Sequence, residues 1–284
     1  MKSFTPSVLI LMSLLATPGT TLAWGSIGHK LVCGAAENHL TKKGGQFVKK
    51  ISEYGEFLKG GVLSFPESCL WPDKVKYSTR MDSYEHHFLN IPSASERINL
   101  ERDCASLSCL PVGIQKSITY LSNPPKGERE KGRQAAALRF LGHYIGDLHQ
   151  PLHVSNASDW GGNRIKVRWY SKKSNLHRVW DVNIVEKSGL RYPGSVAFIT
   201  DFKTDPGAIN IKRWFEDSYT LTNDRAYLHP DGVRIKNGDH LGEVYFNANK
   251  GLVIEQIALA AHRLALTINA IAAGNPPVVF GLSW

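Results

Sequence analysis

The stretch LGHYIGDLHQPLHV, residues 141–154, decides how the rest of the chain is read. From Arg133 to His149, apolar residues recur at three- and four-residue intervals, the period of a helix with a buried face. On that helix His143 and Asp147 stand one turn apart, where an imidazole nitrogen and a carboxylate oxygen can converge on one cation. Pro151 lacks the N–H needed to continue, so the helix stops near Gln150, and the turn there can return His153 to the same cleft. His149 points well around the helix from His143 and Asp147. It reads as a core histidine or one that supports the ligands from behind.

A second pair of this kind lies in NLHRVWDVN, where His177 and Asp181 are again four residues apart. One such pair is most simply a helix-face ion pair or hydrogen bond. Two pairs in one chain, with His153 and an early Trp24/His29, read instead as a metal site. Nitrogen and carboxylate donors without cysteine suit zinc in hydrolytic sites, and composition alone also allows manganese or iron.

Working outward, helical periods run over Lys30–Leu40, Gly113–Leu121, Leu176–Val185, Ile211–Leu221 and Glu243–Ile271. The clearest strand signal is Asn163–Tyr170, where Ile165, Val167 and Trp169 alternate with Arg164, Lys166 and Arg168. Residues 194–210 mix Gly, Pro, Asp and Thr without a period and predict a long surface loop. The expected fold is a mainly α single domain with a small β element. No linker, charge block or repeat divides residues 24–284.

Residues 1–23 carry Lys2, an apolar run from Val8 to Ala16 and a small-residue end, Thr21-Leu22-Ala23, the anatomy of a secretory signal peptide. The run is too short for a bilayer, which takes about 20 apolar residues, so a membrane anchor is not expected. Cleavage after Ala23 makes Trp24 the N-terminus, with a free amino group able to act as a nitrogen ligand. An exported chain, periplasmic or extracellular, puts Cys33, Cys69, Cys104 and Cys109 in an oxidising compartment. Cys104 and Cys109 are close enough to staple a small loop, which leaves Cys33 with Cys69. The whole chain has net charge +9, and the leader contributes only Lys2 to it. That balance favours an acidic partner such as nucleic acid or an anionic membrane surface.

Two upstream pieces, WPDKVK at 71–76 and EHHFLN at 85–90, complete the set. Together with WGSIGH, HYIGDLHQPLH, DWGGN, NLHRVWD, WFEDS and AAHRLALTIN, they make the chain resemble the zinc-dependent single-strand-specific nucleases of fungi, plants and bacteria. The match covers nearly all of residues 24–284 in order. The resemblance implies a helical domain with a trinuclear zinc cleft, related to zinc phospholipase C. Three zinc ions are implied, the first on Asp73, His87, His143 and Asp147, and the second on His153, His177 and Asp181. The third would sit on Trp24, through its amino nitrogen and carbonyl oxygen, with His29 and again Asp147.

By the same resemblance, the substrates are single-stranded DNA and RNA, cut to 5′-phosphorylated products, and 3′-nucleotides; the protein would act as a monomer. Asp73 would orient a water activated between the first and third ions, Lys76 would steady the phosphate, and Phe88 and Asn90 would receive the base. The family's disulfide pattern agrees with Cys33–Cys69 and Cys104–Cys109. Departures occur at Pro72, where relatives often have Ala, at Lys76, where fungal members have Arg, and at Asn90, where many have Asp. His262 stands at a usual Gly position, without a functional reading. The rival readings are a zinc phospholipase C and a non-catalytic zinc-stabilised binding module. Asn156-Ala157-Ser158 also matches the glycosylation acceptor pattern.

Overall fold

A computed structural model describes residues 24–92 and 97–281. The leader and its cleavage point lie outside the described residues. Six long helices carry the fold: α1 (Gly25–Asn38), α2 (Lys42–Glu53), α3 (Leu110–Ser122), α4 (Glu128–Leu148), α5 (Ile211–Leu221) and α6 (Glu243–Ala273). α4 is central. Glu128 and Glu130 complement its N-terminal dipole, and from Gln134 to Leu148 every residue is buried. It packs on α1, α2, α3, α5 and α6, so its polar residues in that span face protein on all sides. α6 is long and apolar enough to cross a membrane. Here its apolar surface is taken up by α1, α2 and α4, and Gly274 ends it in the left-handed conformation at φ 91°.

Two small sheets flank this bundle. β1 (Leu89–Ile91) and β2 (Val154–Asn156) pair in parallel, with Leu89 opposite Val154 and Ile91 opposite Asn156. β3 (Lys166–Trp169) and β4 (Lys172–Asn175) form a hairpin, and β5 (His240–Leu241) joins β3 in parallel. The expected alternation holds in β3: Val167 and Trp169 are buried, Lys166 and Arg168 exposed. The tail packs as far as it is described, since Val279 is fully buried and its N–H donates to Gln115 at 2.8 Å. Asn156 is only 2 % exposed, so the folded chain does not present it to a glycosyl donor.

The loop expected over residues 194–210 is corrected in part. Val196–Asp201 is a helix that packs on α1 and α6 through the fully buried Ile199. Six residues are too few to display a helical period, and tertiary burial decides their conformation. α2 is also absent from the sequence reading, because Gly44 and Gly45 dilute its pattern. Thr41 caps it by accepting from the Gly44 N–H at 3.1 Å, and Val48 and Ile51 bury its inner face.

Both expected disulfides form, Cys33–Cys69 and Cys104–Cys109. The first ties α1 to the turn before Trp71 and crosses α4 at Gly142. A Cβ on Gly142 would stand 2.5 Å from the Cys69 sulfur and 2.9 Å from that of Cys33. Gly142→Ala is therefore expected to destabilise the protein by about 1–3 kcal/mol, the usual cost of overpacking. Gly45→Ala, where nothing lies within 4 Å, should be neutral or stabilising. Urea unfolding of both variants checks the contrast.

Candidate metal centre

α4 places His143 and Asp147 at its buried end, both with no exposed surface. The 3-10 turn Met81–His87 brings in His87, the short helix Trp71–Val75 brings Asp73, and α1 brings His29. Four donor atoms then face one point. His87 Nδ1 lies 3.1 Å from Asp147 Oδ2 and 2.9 Å from His143 Nε2. His143 Nε2 is 3.3 Å from the same Asp147 oxygen, and Asp73 Oδ1 is 3.6 Å from His143 and 3.8 Å from His87. A tetrahedron of ligands about 2.0–2.1 Å from a zinc ion has edges of about 3.3 Å, so these spacings fit around one ion.

The other oxygen of Asp147 points elsewhere. Asp147 Oδ1 lies 3.4 Å from His29 Nε2 and 3.9 Å from His153 Nδ1. The His29 ring stacks on that of His143 with centroids 3.9 Å apart, so this second location adjoins the first. Gly146 permits the approach, because a Cβ there would meet His29 Nδ1 at 2.8 Å. Trp24 sits alongside, fully buried, left-handed at φ 33°, its carbonyl accepting from the Gly28 N–H at 3.0 Å.

A third group follows the turn at Pro151. His153 Nε2 is 3.8 Å from Asp181 Oδ1, and His177 Nε2 is 3.1 Å from Asp181 Oδ2. His177 and Asp181 ride on a short α-turn that widens into a π-turn at Val179–Asn183, a distortion frequent at functional positions. β1 and β2 hold this group against the first, since His87 immediately precedes Phe88 and β1, and His153 immediately precedes β2.

The protonation pattern shows what these atoms require. His143 Nδ1 bonds the Cys69 carbonyl at 2.8 Å, His153 Nδ1 that of His87 at 2.6 Å, and His177 Nδ1 that of Gly161 at 2.7 Å. A carbonyl only accepts, so each Nδ1 carries the proton and each Nε2 is a bare lone pair. Those lone pairs face carboxylate oxygens, which are also acceptors, and only a proton or a cation between them resolves the contact. Both Asp147 oxygens, both His29 nitrogens, His153 Nε2 and Asp181 Oδ2 are buried without a hydrogen-bond partner. Histidines that bind metal through one nitrogen and a carbonyl through the other are the usual arrangement around zinc. The donor set fits divalent metal.

Electrostatics agree. Burial alone would raise the Asp147 pKa, but positive charge on the surrounding imidazoles, His143 first, outweighs it and brings it well below the carboxylate range, and a cation bound between them would act in the same direction. Burial drives His87 down to about 3, so it is neutral and available to ligate at neutral pH. Lys76, expected at the phosphate, is found 5 % exposed with its Nζ 2.6 Å from Asp73 Oδ1.

Phe88, just before β1, and Asn90 within it are partly exposed, whereas Leu89 and Ile91 are fully buried on the opposite face. His86 turns away from the cluster, and so does His149: its Nδ1 bonds the Ile145 carbonyl at 2.8 Å and its Nε2 accepts from Arg263 at 3.0 Å. His262, without a reading in the sequence, packs on His39 and bonds Thr204 at 2.6 Å. Gln150 joins the site only through the structure. Its amide donates to Asp181 Oδ1 and its carbonyl accepts from the Leu152 N–H, a role that no spacing in HQPLH announces.

Comparison with known proteins adds an independent line. The sequence profile described as S1/P1 Nuclease matches residues 24–273. The chain belongs to the S1/P1 nuclease family. It is 31 % identical to Endonuclease 2 of Arabidopsis thaliana, over 93 % of this chain and 96 % of that one. It is 29 % identical to Nuclease S1 of Aspergillus oryzae, over 91 % and 95 % respectively. Nuclease P1 of Penicillium citrinum is 26 % identical over 87 % of this chain and 97 % of its own. The chain is thus a nuclease, a hydrolase of phosphodiester bonds, in a metal-dependent family whose helical fold it shares.

His149 supplies a pH test that is separate from ligation. Burial, then the Arg263 charge, lowers its pKa to about 3 in the folded state, against about 6.5 in the unfolded chain. Between those values the unfolded chain binds a proton that the folded one refuses. Stability from this group is therefore complete above about pH 6.5 and declines as pH falls toward about 3. His149→Gln, which can still accept from Arg263, should flatten that decline by up to about 1.4 kcal/mol per pH unit. Denaturant unfolding between about pH 4 and 6.5 measures it.

Proposed function

We propose that this nuclease holds three zinc ions, cuts single-stranded DNA and RNA to 5′-phosphorylated products and removes 3′-phosphates from nucleotides. It works as a single exported domain from Trp24 onward, a monomer. The observation carrying the reading is Asp147, a buried carboxylate whose two oxygens address two different sets of imidazoles, at 3.1 and 3.3 Å for one and 3.4 Å for the other. A side chain so divided suits a bridge between two ions. The first ion would have Asp73, His87, His143 and Asp147, the second His153, His177 and Asp181, and the third Trp24, His29 and Asp147.

Bound zinc would supply a water acidic enough to attack phosphorus near neutral pH and positive charge for the phosphate oxygens. The chain's residues do the rest. Asp73 accepts a hydrogen bond from the attacking water and orients it. Lys76, held by Asp73, adds a positive charge beside the phosphate. Gln150 keeps the Asp181 carboxylate from rotating. Phe88 stacks on a base, a contact worth about 1–3 kcal/mol that tolerates any sequence. Asn90, two residues along the same strand face, meets the base edge with both a donor and an acceptor. A paired, stacked base cannot reach Phe88 without leaving its helix, which gives the preference for single strands.

Two experiments test this. Asp147→Asn should abolish hydrolysis and remove two of three zinc ions, whereas His29→Ala should remove one and leave residual activity. Equal zinc content in the two variants, read by elemental analysis, contradicts the bridge. A mature chain carrying one extra residue before Trp24 should retain its helical circular dichroism and two zinc ions but lose the third, because an amide nitrogen has no basic lone pair. Three ions and full activity in the extended form would remove Trp24 from the ligand set.

A further inference from the structure

α2 packs on α4 and α6 and buries Val48 and Ile51, and the proposed reaction does not use its outer side. Lys42, Lys43, Lys49 and Lys50 are all exposed there, and none of them makes an ion pair among the described residues. With 3.6 residues to the turn, these lysines and the exposed Gln46 between them fall within about one third of the helix circumference. A rise of about 1.5 Å per residue sets the pair Lys42/Lys43 about 10.5 Å along the axis from the pair Lys49/Lys50. Glu53 is the only acidic residue of α2, and it stands in the last turn.

The helix itself does not call for this charge. Lys42 and Lys43 occupy its first turn, where the positive end of the dipole disfavours cations, and no acidic residue in that turn offsets them. Lys30 and Lys187, by contrast, are matched, with Glu67 at 2.6 Å and with Glu243 at 3.7 Å. Lysines of one sign along one face repel each other, and a polyanion laid along the face removes that repulsion.

The row continues past the end of α2. Lys131, near the start of α4, stands over the rings of Tyr54 and Phe57, with its Nζ 5.5 and 5.3 Å from their centres. Twelve residues of α4 separate it from His143, so this end of the row lies about 18 Å along that helix from the metal centre.

We propose that the outer face of α2 is a docking surface for the sugar–phosphate backbone of a nucleic-acid strand, apart from the metal centre. On a strand stacked at about 3.4 Å per nucleotide, the two lysine pairs meet phosphates about three apart. Lysine contacts phosphate as a point charge, so the surface holds any sequence. An anionic membrane is the poorer fit, because a helix lying in headgroups needs apolar residues to enter them. Every fully exposed residue of α2 is polar. That the docked strand is also a substrate rests on the nuclease reading above; the docking itself does not.

The test compares three zinc-loaded proteins: the wild type, Lys42→Gln/Lys43→Gln/Lys49→Gln/Lys50→Gln, and Lys203→Gln/Lys212→Gln/Lys236→Gln/Lys250→Gln, which removes the same charge from other exposed positions. Fluorescence anisotropy at about 50 mM salt reads binding of a labelled DNA duplex of about 20 base pairs, which the proposed reaction spares. Affinity is expected to fall at least about fivefold in the α2 variant and less than about twofold in the other. On single-stranded DNA of about 60 nucleotides, KM should rise by a similar factor in the α2 variant at unchanged kcat, with a dinucleotide cut as in the wild type. The plot of log kcat/KM against log salt should become shallower by up to about 2.8, the share of four phosphate contacts. Equal losses in the two variants overturn the proposal, and so does a loss on the dinucleotide as large as that on the long strand. Unchanged duplex binding overturns it as well, including the case where the α2 variant loses only its binding to phosphatidylserine vesicles. Absence of hydrolysis by the wild type would count against the nuclease reading, while duplex binding would still decide for or against the docking surface.

Discussion

Everything near the centre of this molecule answers to one constraint: a carboxylate, Asp147, removed entirely from water with no hydrogen-bond donor on either oxygen. Moving a charged group from water into protein costs several kcal/mol after relaxation, and an uncompensated one would simply take up a proton. Positive charge beside it, on protonated imidazoles or on a cation that takes the place of those protons, holds it ionised instead. Five histidines and three aspartates share the space, most with their lone pairs turned inward. Such a concentration of inward-facing acceptors has no stable arrangement without positive charge among them, which is the sense in which the fold is built around ions.

The packing that meets this constraint is backbone-deep. Gly142 lets the disulfide cross α4, and Gly146 lets His29 lie against it, so two of the closest approaches in the core depend on absent side chains. Carbonyls of Cys69, His87 and Gly161 fix the tautomers of three imidazoles. Those carbonyls come from a disulfide-bonded turn, the entry to β1 and a glycine at φ 60°. Each imidazole is thus aimed by main chain, which has less freedom to move than a second side chain would.

How much of this is legible in the sequence follows from distance along the chain. His143/Asp147 and His177/Asp181 can be read because a helix turns four residues of sequence into proximity. The long helices can be read for the same reason, from their period. The pairing of β1 with β2 cannot, since strands of three residues carry almost no pattern and these lie far apart in sequence. That pairing sets His87 beside His153, so the relation between the first and second groups comes only from the structure. Gln150 is hidden because its partner, Asp181, is 31 residues away. Resemblance places Lys76 at the phosphate, whereas its bond to Asp73 depends on a local turn whose side-chain directions the sequence does not specify. Trp24 and Asn90 keep the roles that resemblance implies only as proposals, because amino-terminal chemistry and base contact leave no mark on side-chain packing.

The Cys33–Cys69 bridge has a consequence for where the protein can function. Cys33 follows His29 by one helical turn on α1, and Cys69 stands four residues before Asp73, so the bond clamps two donor-bearing segments across α4. Cys69 also lends its carbonyl to His143. In a thiol-rich, reducing interior the clamp does not form, and three donors lose their common frame together. Redox environment thereby acts as a spatial licence: the three donors share their frame only where the Cys33–Cys69 bond can form.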